Sequence, residues 1–461
     1  MSLLRVLVQI LLLWRPAFKK RECFNRALQH AIAGLIPGGR GTITQIIATL
    51  GRESRDWSAD YKLYSKRTWK TDDLFRPIIE KALPFANKHF IAIAADDTKL
   101  RKTGKKIATA SWQRDPMGPH FQTNLIWAQR FLHFSCLLPL YNVDPEKNVP
   151  PRSLPINFTE AASVKKPGRR ALLEEIKAYK EEKKKHNISI SFIEEANKIR
   201  NTVDDIGEKE KKILFIVDNG YCNRICLRAN IERTDILARC RKDAKLCFPA
   251  PTGSRRYYDV KKFSPEEIRQ DQSIPWQTIR IFHGGQWREV NYKELPDVRW
   301  QRIGRKPLRL FVLRPVRYRL TKNGKPCYRE PGYLLSTALD APAHDQIQAY
   351  FDRWQIEVNH REIKSIIGVG QAQVRNKLSV HRQPAFMVAA YSALLLTSVL
   401  LYGDDQAGDL WTLPKWHRKS KRPSCRQLAL QLRKEILKEP QLLQTNAVNI
   451  NIEGILRKAA A

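Results

Sequence analysis

The sequence predicts an α/β protein, in which a sheet is flanked by helices, and three observations support this. Two short apolar segments, residues 90–95 and 212–217, have the pattern of strands covered on both faces of a sheet. A third segment begins at Pro342 and ends at Gly368, with no Pro or Gly between them. Such a segment predicts one charged helix of roughly 22 to 25 residues.

Length and charge bound the classes of protein. The 461 residues suggest two or three domains, and a hydrophobic content of 43% is enough to bury a core. The 82 Lys and Arg against 46 Asp and Glu leave a net charge of +36. Such an excess of positive charge destabilises the folded chain by self-repulsion unless a polyanion neutralises it, and nucleic acid is the usual polyanion. Ribosomal and membrane-surface proteins are competing basic classes, but this length and 11 Trp favour an enzyme-sized folded body.

The sequence gives little support for a zinc site or for a membrane-spanning segment. The eight Cys form no C-x-x-C pair and the ten His are scattered, which argues against zinc and favours reduced cytosolic thiols. Residues 3–14 are apolar but too short to span a bilayer, and Arg5 and Gln9 interrupt them, so we expect a packed amphipathic helix. Residues 386–402 predict a buried helix that closes the core, and no membrane partner is expected.

Residues 1–85 are predicted to be helical. Residues 42–51 combine hydroxyl caps, an apolar stretch and a final glycine, which is the pattern of a short helix. Aromatic and basic residues then interleave between positions 52 and 70, which suits a DNA-contacting unit whose cations meet phosphates. The alternative is a small helical bundle in which the aromatics form the core and the cations are merely solvated.

Each of the two apolar segments ends in acidic residues. The first ends in Asp96 and Asp97, followed by Thr98, and the second ends in Asp218. A carboxylate is therefore expected where each strand leaves the sheet. A group of basic residues after the first strand would make that exit strongly positive: Lys99, Arg101, Lys102, Lys105 and Lys106.

Further strands are predicted at residues 107–112 and 127–140, and a charged helix at residues 171–185. From about residue 242 to 340 the pattern turns to strands, and Asn323-Gly324 between alternating runs indicates a hairpin. The expected strands of this region include residues 278–282, 286–292, 308–314 and 333–336.

One face of the predicted helix between Pro342 and Gly368 is polar. At about 100° per residue, five side chains project within roughly 60° of one another: Tyr350, Arg353, Glu357, Arg361 and Lys364. Ile356, Ile363 and Ile367 share a different face, which can dock on a core. The ordinary interpretation of the polar face is a solvated surface with weak i,i+4 pairs.

The spacing Tyr-x2-Arg-x3-Glu-x6-Lys at positions 350–364 resembles the YREK motif of DDE transposases from bacterial insertion sequences. Asp97-Thr98 and Asp218-x-Gly220-Tyr221 resemble the first and second carboxylate blocks of that family. The resemblance covers roughly residues 90–400. It implies an RNase H-like mixed sheet with flanking helices and a β-rich insertion domain, whereas the predicted N-terminal helical domain carries no motif of the family. The predicted bounds are 1–85 for the N-terminal, DNA-end-binding domain, 86–241 and 341–402 for the catalytic core, 242–340 for the insertion and 403–461 for a basic C-terminal region.

On this resemblance, Asp97, Asp218 and Glu357 are the catalytic residues and the ligands of two Mg²⁺ or Mn²⁺ ions. These are hard cations that take carboxylate oxygens, and two of them suffice for phosphodiester chemistry. Asp96 is the rival for the first position. Asp97 is preferred because in the family the ligand Asp directly precedes Thr, as Asp97 precedes Thr98.

The same resemblance implies that Tyr350, Arg353 and Lys364 bind the DNA backbone near the transposon end. Some relatives cut through a hairpin intermediate and stack a flipped base on a Trp of the insertion domain. Candidates here are Trp276, Trp287 and Trp300, although none falls at a matching spacing.

The predicted function is cut-and-paste transposition, that is, metal-dependent cleavage of DNA at terminal inverted repeats and strand transfer into target DNA. A homodimer is expected in the synaptic complex, and the expected location is the bacterial cytoplasm, in association with the nucleoid. Two alternatives stay open. One is another metal-dependent nuclease of the same fold without strand transfer, and the other is a non-catalytic DNA-binding protein whose acids are structural.

Overall fold

A computed structural model of the chain shows mixed α/β architecture. It describes residues 2–444 with gaps at 37–38, 67, 108, 116, 120, 141–149, 162–163, 165, 320, 322 and 403–421. The predicted basic C-terminal region therefore lies largely outside the described residues.

The helices in chain order are α1 (Leu3–Leu12), α2 (Arg21–Leu35), α3 (Ile43–Thr49), α4 (Ser58–Ser65), α5 (Asp72–Ala82), α6 (Leu173–Lys185), α7 (Ile188–Asp205), α8 (Arg224–Arg228), α9 (Pro265–Gln270), α10 (Ala343–Asp352), α11 (Trp354–Ser365), α12 (Ser379–Tyr402) and α13 (Cys425–Lys438).

The strands in chain order are β1 (Ile91–Arg101), β2 (Ser111–Arg114), β3 (Leu125–Leu138), β4 (Arg152–Glu160), β5 (Ile213–Val217), β6 (Thr234–Arg239), β7 (Leu246–Pro249), β8 (Tyr258–Phe263), β9 (Gln277–His283), β10 (Gln286–Val298), β11 (Leu308–Leu313), β12 (Arg317–Tyr318), β13 (Cys327–Tyr328) and β14 (Gly332–Ser336).

The chain divides into two compact units. The first comprises Met1–Phe85, Asp97–Asn187 and Gln355–Ala461, and the second comprises Ala86–Asp96 and Ile188–Trp354. Strand β1 contributes its first residues to the second unit and its last residues, from Asp97 onward, to the first. Each unit is described by itself below.

The core of the first unit is built on α12. Nearly all its side chains are buried, and it packs against α1, α5 and β4. Among the described residues, α12 is the one helix long and apolar enough to cross a membrane, and 83% of its apolar window is buried inside the fold. This confirms the predicted buried helix at residues 386–402.

The N-terminal helices pack on α12 through aromatic side chains. The rings of Trp14, Tyr64 and Trp69 meet Phe386 edge-on, with centroids 5.6, 5.6 and 5.9 Å from it. The helical prediction for residues 1–85 and the packed helix at residues 3–14 are therefore confirmed. Tyr64 and Trp69 are core residues, as the bundle alternative expected, whereas Trp57 is half exposed.

The remaining elements of the first unit are β2, β3, β4 and the end of β1. Strand β3 pairs antiparallel with β2 and β4 and neighbours β1. The predicted strand at 107–112 begins later, at Ser111, because Ile107 and Ala110 pack instead in a small cluster with Val380.

The second unit is organised around parallel strands β1, β5 and β6. Ile91–Ala95 pair in register with Ile213–Val217, and β5 pairs with β6 in the same direction. Antiparallel strands then follow in the order β14, β11, β10, β9. The strands predicted between residues 242 and 340 are therefore present, and several of them extend the sheet that contains β5. The hairpin predicted at Asn323-Gly324 joins β12 to β13.

The prediction of one continuous helix from Pro342 to Gly368 is wrong, because α10 ends at Asp352 and α11 begins at Trp354. Each half has its own buried polar anchors. In the second unit, the Gln348 amide on α10 accepts from Phe282 N (2.7 Å) and donates to Phe282 O (2.9 Å) on β9. Helix α11 is anchored within the first unit. The break falls between the two sets of anchors.

The anchors of α11 form a buried hydrogen-bond network in the first unit. Asn359 Nδ2 donates to Ser153 O (3.2 Å) and to the Tyr391 hydroxyl (3.0 Å), and its Oδ1 accepts from Ser135 Oγ (3.1 Å). The Tyr391 hydroxyl donates to Glu362 Oε2 at 2.5 Å. These contacts join α11 to β3, β4 and α12, and they set the rotation of α11 about its axis.

We predict that Tyr391→Phe lowers the free energy of unfolding by about 1–3 kcal/mol, because Glu362 loses its donor in a buried site. The measurement is urea denaturation of the full chain. Thr397→Val is the matched control, since it also removes a buried hydroxyl from α12, but one that bonds only to Ala393 O of the same helix. A Tyr391→Phe loss no larger than that of the control would contradict this account of the network.

Candidate active site

Asp97 lies on β1, and only Asp96 separates it from the five buried residues Ile91–Ala95. Side chains alternate along a strand, so Asp97, Lys99 and Arg101 project from the same face of β1. The apolar first half of β1 is buried in the sheet, and the side chain of Asp97 is 21% exposed. The prediction that this acid lies where the strand leaves the sheet is wrong, because β1 continues to Arg101.

Arg130, from the middle of β3, binds Asp97 with both arms of its guanidinium. Nε lies 2.7 Å from Oδ2 and Nη2 lies 2.9 Å from Oδ1. The side chains of Arg130 and Asp97 are 29% and 21% exposed, so this charge-assisted pair is screened less than a surface pair. Nearby, burial lowers the pKa of Lys99, while the charge of Asp97 opposes that shift.

Asp218 follows β5 in the second unit. The last register pair between β1 and β5 is Ala95 with Val217, so Asp96 and Asp218 each come directly after it at the same end of two parallel strands. Asp97 is one residue further along β1. The prediction of an acid at the strand end is therefore confirmed for Asp218, which follows β5, and is wrong for Asp96 and Asp97, which lie within β1.

The Asp-x-Gly-Tyr block around Asp218 has a local structural explanation. Asp218 Oδ1 accepts from Gly220 N (2.9 Å), which closes a tight turn after the strand. A Cβ at Gly220 would lie 3.1 Å from that oxygen, so a side chain there would crowd the carboxylate. Tyr221 is buried against Phe192, with ring centroids 5.3 Å apart, and anchors the turn.

Glu357 lies in the first turn of α11 in the first unit and is partly exposed. Its neighbours Ile356 and Asn359 are buried, as are Ile363 and Ile367, which confirms the predicted apolar face. The Asn359 network therefore determines the direction in which Glu357 projects from the helix.

A basic cavity of about 530 Å³ lies beside β1 in the first unit. Its cationic lining residues are Arg40, Lys99, Arg101 and Lys364. Asp115 also lines it and forms an ion pair with Arg101 at 2.7 Å. Four cations against one carboxylate make this a site for an anion, and phosphate is the anion that Arg and Lys most often bind. Lys364 of the predicted DNA-binding set is thus part of a basic surface next to the strand that carries Asp97.

One wall of this basic cavity is the loop after α11, and Lys102 holds it in place. Lys102 Nζ donates to the carbonyl oxygens of Gly370 (2.9 Å) and Ala372 (3.0 Å). Burial lowers the pKa of Lys102 to about 8. Unlike Lys99 and Arg101, Lys102 does not line the basic cavity, because its ammonium group is buried against backbone carbonyls.

The N-terminal segment packs against the same loop. Gln371 Oε1 accepts from Gly41 N at 2.7 Å. A Cβ at Gly41 would lie 2.6 Å from the carbonyl oxygens of Ile367 and Gly368, so only glycine permits this approach. Arg40 is thereby held at the edge of the basic cavity.

Tyr350 and Arg353 belong to the second unit. They line a different cavity, of about 570 Å³, together with three further arginines and exposed aromatics, among them Arg239, Arg314, Arg329, Tyr328 and Trp354. Tyr350 and Arg353 thus line a cavity of the second unit, and Lys364 lines the basic cavity of the first. Of the described tryptophans, Trp354 lines this second cavity, whereas Trp276, Trp287 and Trp300 do not.

The carboxylate of Asp97 has the chemistry of a ligand for a cation. Both of its oxygens already bind a cation, the guanidinium of Arg130, so the carboxylate suits a charged partner. Among the residues that the structure describes, no group of three or more His, Cys, Asp or Glu side chains is arranged to hold a metal ion. The assignment of Asp97, Asp218 and Glu357 as metal ligands stays a prediction.

Arg130 and Arg40 are the site residues that sequence reasoning missed. The sequence did contain a signal for Arg130, because a cation in the middle of an otherwise apolar predicted strand requires an anionic or polar partner. The sequence contained no such signal for Arg40, because its position at the basic cavity depends on the contact between Gly41 and a loop 330 residues away in sequence.

Comparison with known families gives the chain its place. A family model described as a DDE superfamily endonuclease matches residues 16–307, which is more than half of the chain. The matched segment contains Asp97 and Asp218 and ends before Glu357. A comparison with curated proteins found no match. Such a family suggests metal-dependent cleavage of DNA, and the basic cavity beside Asp97 agrees with an anionic substrate. The chain belongs to the DDE superfamily endonucleases.

Proposed function

We propose that the protein is a cut-and-paste transposase of the group with the YREK motif. It would cleave DNA at the terminal inverted repeats of its element and join the cut ends to target DNA. An RNase H-like core, a homodimer in the synaptic complex and a cytoplasmic, nucleoid-associated location belong to the same proposal. Endonuclease membership supports the cleavage step, and the spacing of Tyr350, Arg353, Glu357 and Lys364 supports transposition.

The observation that carries this proposal is the arrangement of charges along one face of β1. Asp97 is followed on the same face by Lys99 and Arg101, and these two cations line the basic cavity with Lys364. A DNA strand bound through its phosphates there would lie beside the proposed first catalytic carboxylate.

In the proposed mechanism, Arg40, Lys99, Arg101 and Lys364 hold the phosphates of one DNA strand, and Asp115 orients Arg101. Asp97, Asp218 and Glu357 would hold two Mg²⁺ or Mn²⁺ ions, which supply charge stabilisation of the attacking and leaving oxygens when bound. The Asn359 network fixes α11, so that Glu357 and Lys364 keep their places on the helix.

Tyr350 and Arg353 would contact DNA from their own cavity in the second unit. Its four arginines suit phosphate oxygens, and the exposed ring of Trp354 suits a base. This role is proposed from the motif and from the cavity lining together.

We predict that Lys364→Ala weakens DNA binding and lowers the slope of log affinity against log salt by about 1, because one phosphate contact is lost. The measurement is fluorescence anisotropy of a labelled duplex at several salt concentrations. Lys177→Ala on α6 is the matched control, since Lys177 is an exposed helical lysine that does not line the basic cavity. An equal slope change in both variants would contradict a specific role for Lys364.

We predict that Asp97→Asn, Asp218→Asn and Glu357→Gln each reduce Mg²⁺-dependent DNA cleavage to background while DNA binding persists. Neutral amides are poor ligands for two hard cations, whereas the phosphate-binding cations remain in place. Cleavage of duplex DNA carrying the element's terminal repeats is followed on a denaturing gel. Asp96→Asn, the rival first acid, is the control and should retain cleavage. Loss with Asp96→Asn and retention with Asp97→Asn would reverse the assignment, and retention in all variants would favour a non-catalytic protein.

Strand transfer separates transposition from simple hydrolysis. We predict that the protein, supplied with precleaved terminal-repeat DNA, Mg²⁺ and a circular target plasmid, yields plasmid joined covalently to the repeat DNA. Joined product is detected by amplification across the junction. Hydrolysis without joined product would favour the nuclease alternative and would contradict the transposase proposal.

A further inference from the structure

We propose that Arg130 is a positioning residue that occupies the Asp97 carboxylate until a divalent ion displaces it. The inference rests on the proposed function, because it takes Asp97 to be a metal ligand. It assigns to Arg130 a role that neither the family match nor the motif spacing contains.

The contact is specific for a guanidinium. Two nearly parallel hydrogen bonds, of 2.7 and 2.9 Å, use both oxygens of Asp97. A divalent ion takes its ligands from the same oxygens, so the guanidinium and an ion compete for one carboxylate. Asp97 cannot bind Arg130 and a divalent ion at once, because both would need the same oxygens and because the two cations repel each other.

The backbone of Arg130 is held on the strand, so the exchange involves its side chain. Strand β3 lies between β1 and β4, and Arg130 O accepts from Ala161 N at 2.8 Å. The side chain is 29% exposed, which leaves it a route toward solvent. Rotation of the Arg130 side chain would break both hydrogen bonds to Asp97 without a movement of the strand.

Lys99 provides a charge-matched comparison within the same site. It interacts electrostatically with both Asp97 and Arg130 and lies on the same face of β1 as Asp97. Lys99 Nζ donates a hydrogen bond to the backbone oxygen of Arg114. Removing Lys99 therefore removes one nearby positive charge while the Asp97–Arg130 contact stays intact.

The test is titration of the full-length protein with Mn²⁺, in the absence of DNA, with free Mn²⁺ measured by electron paramagnetic resonance. Five proteins are compared: wild type, Arg130→Gln, Arg130→Lys, Lys99→Gln and Asp97→Asn. Thermal unfolding without metal confirms that each variant is folded. The readout is metal affinity and does not depend on cleavage.

We expect Arg130→Gln to bind Mn²⁺ roughly tenfold more tightly than wild type, since a charge-assisted bidentate contact no longer has to be broken. Arg130→Lys should also bind more tightly than wild type, because it keeps the charge but loses the two-armed contact. Lys99→Gln should show a smaller gain than Arg130→Gln.

Three results would overturn the inference. Equal gains in Arg130→Gln and Lys99→Gln, with none in Arg130→Lys, would mean that net charge alone matters. Unchanged affinity in both Arg130 variants, with binding lost in Asp97→Asn, would reject the role of Arg130 while leaving Asp97 a ligand. Wild-type affinity in Asp97→Asn would reject Asp97 as a ligand, and with it both the proposed site and this inference.

Discussion

The pairing of Asp97 with Arg130 is the interaction on which the proposed active site depends. A carboxylate at the end of a buried strand is costly unless a cation compensates it, and the fork of Arg130 does so through both oxygens. The pair joins β1 to β3 at the point where the apolar half of β1 ends. Lys99 and Arg101 continue along the same face and give the carboxylate a strongly positive surrounding.

The rest of the first unit holds this face in place. The Asn359 network fixes α11, and Lys102 holds the loop that follows α11 against β1. Gly41 and Gln371 attach the N-terminal segment to the same loop, which brings Arg40 to the basic cavity. Parts of the chain distant in sequence thus depend on polar contacts to form one basic surface, and we propose DNA as the anion that binds there.

Local signals in the sequence predicted much of the fold. The apolar segments around Ile93 and Phe215 formed strands because burial on both faces leaves a continuous hydrophobic pattern, and α12 was evident for the same reason. The hairpin at Asn323-Gly324 followed from turn chemistry. The acids could be located from the end of each apolar run, although only Asp218 follows its strand and β1 continues past Asp97 to Arg101.

Features that depend on long-range contacts could not be predicted in this way. The helix breaks before Trp354 although no Pro or Gly marks the position, because Gln348 and Asn359 are anchored in different units. The sequence places Lys102 among neighbouring cations, yet its ammonium group donates to carbonyl oxygens some 270 residues away in sequence. The metal ligands stay predictions, since they rest on motif spacing and strand register.

The central claim is that Asp97, Asp218 and Glu357 bind the same metal ions. The most direct measurement replaces Mg²⁺ with Fe²⁺ and maps, by mass spectrometry, where radicals generated at the bound iron cut the polypeptide. Our account predicts cuts in all three segments, close to residues 97, 218 and 357, each suppressed by excess Mg²⁺. Cuts confined to one segment, or cuts that excess Mg²⁺ does not suppress, would contradict it.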